Sequence, residues 1–151
     1  MSEENQQPQG AGLGVQRVYL KDCSFEAPAS PGIFTRQIQP KLEIHIDIEH
    51  SVLEKEQGLY EVVIPVTVKA DVDGATVYLV EVQQAGVFQL TGLGEDLIEQ
   101  VLEINCPDIL LPFARETIAS LVSNGGFPQL LINPVNFGAL FAQRHGQAES
   151  A

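Results

Sequence analysis

Up to about residue 90, apolar and polar positions alternate along the chain; beyond it, apolar residues recur about every 3.6 positions. That one change of period sets the expected architecture. Residues 15–27 are rich in β-branched and aromatic side chains and are closed by Pro28 and Pro31, which predicts a first strand. Residues 40–50 give the cleanest alternation, with Leu42, Ile44, Ile46 and Ile48 on one face and Glu43, His45, Asp47 and Glu49 on the other. Residues 59–71 repeat it through Tyr60, Val62, Ile64, Val66 and Val68, although Pro65 sits inside the run, where a proline marks an edge or a bulge. Asp73-Gly74 then supplies a two-residue hairpin turn, because both central positions of that turn need positive φ. A fourth strand is predicted over residues 75–90.

The helical part begins near Gly94. Leu97, Ile98, Val101 and Leu102 recur at helical spacing, and Glu95 and Asp96 suit a first turn. Asn105-Cys106-Pro107 is expected to break that helix and start another over 107–123, which tolerates Pro112 and ends at Asn124-Gly125-Gly126. Asn133-Pro134 is expected to open a short last helix from Val135 to about His145. The predicted class is α+β: four antiparallel strands, then helices packed on one face of the sheet. Residues 1–14 are expected to be a disordered arm, 15–145 one domain and 146–151 a flexible tail.

Charge narrows the function. The 151 residues carry 20 acidic and 8 basic side chains, a net charge of −12. A nucleic-acid backbone attracts Lys and Arg clusters, so a basic protein partner fits this chain better. No apolar run reaches the roughly 18 residues of a membrane helix, and Met1 to Gln7 is polar and acidic rather than signal-like. A cytosolic protein is expected. Its two cysteines, Cys23 and Cys106, have no CxxC spacing and read as free thiols.

Nothing points to catalysis. No serine lies in a nucleophile motif, Gly92-Leu93-Gly94 lacks the dinucleotide spacing, and Gly125-Gly126 lacks a phosphate-binding lysine. His45 and His50 fall on opposite faces of their strand, so with Cys23 they could make at most a weak metal site, and a solvated face is the preferred reading. The chain is expected to be no enzyme, with no metal and no cofactor.

Two other features stand out. Under strict alternation Val18, Leu20, Asp22, Ser24 and Glu26 share one face, as do Leu79 and Glu81. This is either an ordinary solvated sheet face or a docking surface for a basic partner. Apolar residues also fall in loops: Ile33 and Phe34 between the first two strands, and Phe127, Leu130, Leu131 and Ile132 between the last two helices. They either pack beneath their loops or together line an apolar channel.

At these residues the chain resembles the SecB family of bacterial protein-export chaperones. The resemblance rests on Arg17-Val18-Tyr19-Leu20-Lys21-Asp22-Cys23-Ser24-Phe25-Glu26-Ala27-Pro28, then Tyr60-Glu61-Val62-Val63, Glu81-Val82-Gln83-Gln84 and Cys106-Pro107-Asp108-Ile109-Leu110. Pro112-Phe113-Ala114-Arg115-Glu116, Phe127-Pro128-Gln129-Leu130 and Pro134-Val135-Asn136-Phe137 extend it, so that it covers nearly all of residues 15–142. It implies a homotetramer built as a dimer of dimers, and an ATP-independent holdase that binds unfolded precursor proteins in the cytosol. It also implies delivery of those clients to the SecA motor ATPase for export through the Sec translocase. The matching SecA-binding positions are Asp22, Glu26, Leu79 and Glu81, which would receive a short SecA segment that carries its own zinc. The matching client-groove positions are Phe34, Leu42, Ile44, Phe137 and Phe141. The chain departs from the family in having no tryptophan in the first crossover, where Ile38 stands, and in its short tail. The competing expectation is an acidic homo-oligomeric adaptor that binds only folded partners, for which an open apolar channel would have no use.

Overall fold

The computed structural model describes residues 12–150, with side chains as far as Gly146. Its elements are β1 (Gly12–Glu26), β2 (Lys41–Ile46), β3 (Glu49–Glu54), β4 (Leu59–Val72), β5 (Ala75–Thr91), α1 (Glu95–Gln100), α2 (Cys106–Asn124) and α3 (Phe137–Ser150). All strand pairs are antiparallel, in the order β1-β5-β4-β2, with β3 also paired to β4. The class is α+β, as the change of period predicts. Residues 1–11 of the expected arm lie outside the described residues, whereas Gly12, Leu13 and Gly14 open β1 opposite Thr91, Leu90 and Gln89. Ala151 also lies outside them, and the segment expected as a tail continues α3 to Ser150.

The strand expected over 40–50 is two strands, and Pro65 is the reason. In a β-strand the N–H and C=O of one residue point to the same side. The Pro65 carbonyl accepts the Asp47 N–H at 3.0 Å, so the N–H that proline lacks would have pointed toward Asp47 as well. The ladder fails there, and Asp47 turns its carboxylate back to accept the Ile48 N–H at 2.8 Å. β2 then pairs with the second half of β4 and β3 with the first half. On its other side Pro65 needs no donor, and its pairing with Gln83 of β5 is undisturbed. The hairpin between β4 and β5 turns on Asp73 and Gly74, both at positive φ (52° and 81°), as its sequence predicts.

Period two is also broken within β1. The register shifts between Val15 and Arg17 and again between Leu20 and Asp22, so Gln16 and Lys21 are bulge residues. The second bulge reverses the parity expected from sequence. Leu20 stands opposite Gln84, on the face that carries Val62, Ile64, Val66 and Val68, whereas Asp22, Ser24 and Glu26 stand opposite Gln83, Glu81 and Leu79 on the other face.

Helix α2 covers the first of these faces. Its Leu110, Ala114, Ile118 and Val122 are fully buried with Val62, Ile64, Val80, Val82 and Phe88 of β4 and β5. The chain does not break at Asn105-Cys106-Pro107. One π-helical turn, Val101–Asn105, joins α1 to α2, closed by the Cys106 N–H donating to the Val101 carbonyl. A wider turn suits this place, because Pro107 could donate no bond to a normal one. The last helix is capped not by Asn133 but by Asn136, whose Oδ1 accepts the Ala139 N–H at 2.9 Å. It packs against the π-helical turn rather than on the sheet. No helix among the described residues is long and apolar enough to cross a membrane.

Candidate functional site

The face of the sheet turned away from α2 carries the acidic positions. Glu26 lies directly opposite Leu79 and Ser24 opposite Glu81, with Asp22 one pair further along β1. The register therefore brings together all four residues that the family resemblance matches to SecA-binding positions. Asp22, Glu26 and Glu81 are exposed and Leu79 is half-buried. Among the described residues none of these carboxylates forms an ion pair, whereas Glu61, further along the face, is committed to Lys21 at 3.0 Å. An aliphatic side chain between uncommitted carboxylates suits a partner segment that is partly apolar and partly cationic.

Glu61 is held by more than Lys21. The Tyr19 hydroxyl donates to it across the small Ala85 of the intervening strand. That bond is the main reason the Glu61 carboxyl lies below the ordinary range; burial opposes it and Lys21 assists. Burial, with the Glu61 carboxylate, pushes the Tyr19 hydroxyl up to about 12. Gln84, buried on the opposite face, donates to the Tyr19 carbonyl at 3.0 Å beside the bulge. β1 is thus fixed from both sides where its parity changes.

On the helical side an apolar recess of about 260 Å³ opens between the crossover that follows β1 and the loop that follows α2. It is lined by Ile38, Pro40, Leu42, Tyr78, Phe127, Pro128, Gln129 and Leu130. Phe127 anchors it, its ring 5.0 Å from that of Tyr78 and 5.2 Å from that of Phe34, centroid to centroid. Leu42 and Ile44 continue the apolar surface along β2. They point to the side occupied by α2, but α2 lies over β4 and β5 and leaves β2 uncovered. Phe34, Leu42 and Ile44 are accordingly 50%, 40% and 43% exposed.

The other two groove candidates are not brought to this recess. Phe137 is 1% exposed and belongs to the core, so it has no surface to offer a client. Phe141 is half-buried and its ring packs on that of His145, at a centroid distance of 4.0 Å. An aromatic near a helix start carries no signal that separates core from surface. Sequence reasoning placed Phe127 and Leu130 in an apolar loop but missed Tyr78 and Pro40 as walls. Their alternation and turn context show only strand and loop, and the recess exists only once the two loops meet.

A family model, preprotein translocase subunit SecB, matches residues 3–148. The protein-export protein SecB of Hydrogenovibrio crunogenus is 46% identical over 151 residues, covering 99% of this chain and 98% of the relative. That of Nitrosococcus oceani is 46% identical over 149 residues, covering 99% and 91%. A solved structure of a SecB-like chaperone from Mycobacterium tuberculosis, in complex with a peptide from an antitoxin, superposes with a TM-score of 0.66. It covers 82% of this chain and 91% of its own at 12% identity, a likeness of fold. With a family model spanning nearly every residue and close full-length relatives, this chain belongs to the SecB family.

Proposed function

We propose that the chain is an ATP-independent export chaperone that holds unfolded precursor proteins in the cytosol and passes them to the SecA motor ATPase. The observation that carries this reading is the exposed apolar surface formed by Phe34, Leu42 and Ile44 around the recess. At about 260 Å³ the recess is smaller than the roughly 300–1,000 Å³ usual for small-molecule sites. It suits single side chains of an extended polypeptide. Each large apolar side chain seated there contributes about 1.5–3 kcal/mol from burial alone, against walls that are mostly apolar and carry no charge. An adaptor for folded partners would have no use for such a surface.

The acidic face is the docking site we assign to SecA, through Asp22, Glu26, Leu79 and Glu81. We further assign β1 to the assembly of a homotetramer. It is a long strand at the sheet edge, with Leu13, Val15 and Leu20 exposed along it and Phe113 of α2 exposed nearby.

The deciding experiment is suppression of aggregation of a slowly folding precursor, without ATP, at a near-stoichiometric ratio of the native assembly. Full protection is expected, and unchanged aggregation would overturn the reading. Replacing Asp22, Glu26 and Glu81 together by Ala tests the second surface. Each exposed charge pair contributes about 0.2–1 kcal/mol, so SecA binding should weaken by about tenfold while protection of the precursor persists. Equal loss of both would mean that the acidic face serves the fold.

A further inference from the structure

We propose that Glu99, Glu103 and His145 form a binding site for a zinc-type divalent metal ion, joining the last helix to the body of the chain. This goes beyond the export reading and does not rest on it. One carboxylate oxygen from each glutamate and one ring nitrogen of His145 lie within 4.8 Å of one another. Oxygen and nitrogen ligands of a tetrahedral ion stand roughly 3.4 Å apart, given bonds of about 2.0–2.2 Å. His145 Nε2 and Glu99 Oε1 are 3.8 Å apart, so small rotations of the side chains would close the shell.

The elements explain why these groups meet. Glu99 lies near the end of α1 and Glu103 in the π-helical turn, four residues on and so on the same side. α3 packs against that turn and brings His145 to it. Glu103 is only 9% exposed, unusual for a glutamate, and its two oxygens are separately engaged. Arg144 Nη1 lies 3.5 Å from Oε1, and His50 Nε2 lies 3.5 Å from Oε2. Arg144 is itself anchored by Asp47 at 2.8 Å. Outer partners of this kind orient a ligating carboxylate, and the Phe141 ring beneath His145 does the same for its imidazole.

The donor set selects the metal. Magnesium and calcium prefer six or more oxygens, whereas one imidazole with two carboxylates matches zinc, leaving a fourth position for water.

The test is calorimetric titration of the full chain, carrying no histidine tag, with zinc chloride. One zinc per chain is expected. Glu99→Gln, Glu103→Gln and His145→Asn should each weaken binding by at least about tenfold, the lower end of what even outer partners contribute. Glu99 and His145 are substantially exposed, so those two variants should keep their circular dichroism and remain informative if Glu103→Gln unfolds. Cys23→Ser and His45→Asn should bind as the parent does. Absence of zinc binding would overturn the proposal. So would binding that survives Glu99→Gln and His145→Asn, or binding that Cys23→Ser abolishes.

Discussion

Replacing Gly86 by Ala adds one methyl group where the core has no room for it. Gly86 sits on the face of β5 that α2 covers, and a Cβ built there stands 2.8 Å from Phe88 Cε2 and 3.0 Å from Leu110 Cδ2. Both neighbours are 0% exposed, so neither ring nor methyl group can swing into solvent. Relief must come from a shift of α2 against β5, and overpacking of this kind costs about 1–3 kcal/mol. For a chain near 150 residues each kcal/mol lowers Tm by about 2–4 °C, so a fall of roughly 2–12 °C is expected. Gly32→Ala provides the control, because nothing lies within 4 Å of its added Cβ. Urea denaturation at one fixed protomer concentration measures both, since any assembly makes the midpoint depend on concentration. A second measurement isolates the cause. In a Leu110→Val background the added methyl gains space, so the two changes should cost less together than their sum. A Gly86→Ala protein within about 0.5 kcal/mol of the parent, or strict additivity with Leu110→Val, would refute this account of the α2–β5 contact.

Further expectations concern the two surfaces and the fixed polar groups. Leu42→Ser with Ile44→Ser should reduce precursor protection in the aggregation assay with little change in the urea midpoint, because both side chains are already largely exposed. Tyr19→Phe should make stability less sensitive to acid. The lowered Glu61 carboxyl contributes stability that is present above the ordinary carboxylate range and lost as pH falls through its folded value, and the Tyr19 hydroxyl is its main cause. The loss of urea midpoint between about pH 7 and pH 4 should therefore be smaller in the variant, and an equal or larger loss would contradict the assignment. In alkali the sign is opposite. The neutral Tyr19, raised from 10.0 to about 12, contributes stability that is lost as pH climbs through that interval. Cys106 is buried and its thiol pushed up to about 12 by that burial, so it should react with a thiol reagent only as the chain unfolds, as stopped-flow labelling in urea would show.

Alternation was a sound guide wherever both partners of a strand were regular. It located β4 and β5, and it put Asp22 with Glu26 and Leu79 with Glu81, each pair on one face of its own strand. It failed at Lys21 and at Asp47 for reasons outside their own segments. A bulge at Lys21 moves Leu20 to the opposite face, and only the pairing with β5 discloses it. The break at Asp47 is caused by a proline in the neighbouring strand, so the conflict noticed at Pro65 was resolved in β2 and β3 rather than in β4. Phe137 was carried into the groove by the family resemblance, and one aromatic residue in a short helix has no pattern of its own that would have shown it to be buried. Glu99, Glu103 and His145 were invisible as a set, since His145 lies on a helix that meets the other two only through tertiary packing.

The interrupted ladder at Pro65 also gives the sheet two unequal rims. On one side β1 runs unpaired through fifteen residues, long enough to receive a matching strand. On the other the rim is cut into two six-residue pieces at Asp47. A sheet that can be extended from both rims can grow into a fibre, whereas one with a single receptive rim stops when two copies have met edge to edge. One missing hydrogen on the Pro65 nitrogen thus leaves the second rim without a strand long enough to receive another chain along its whole length.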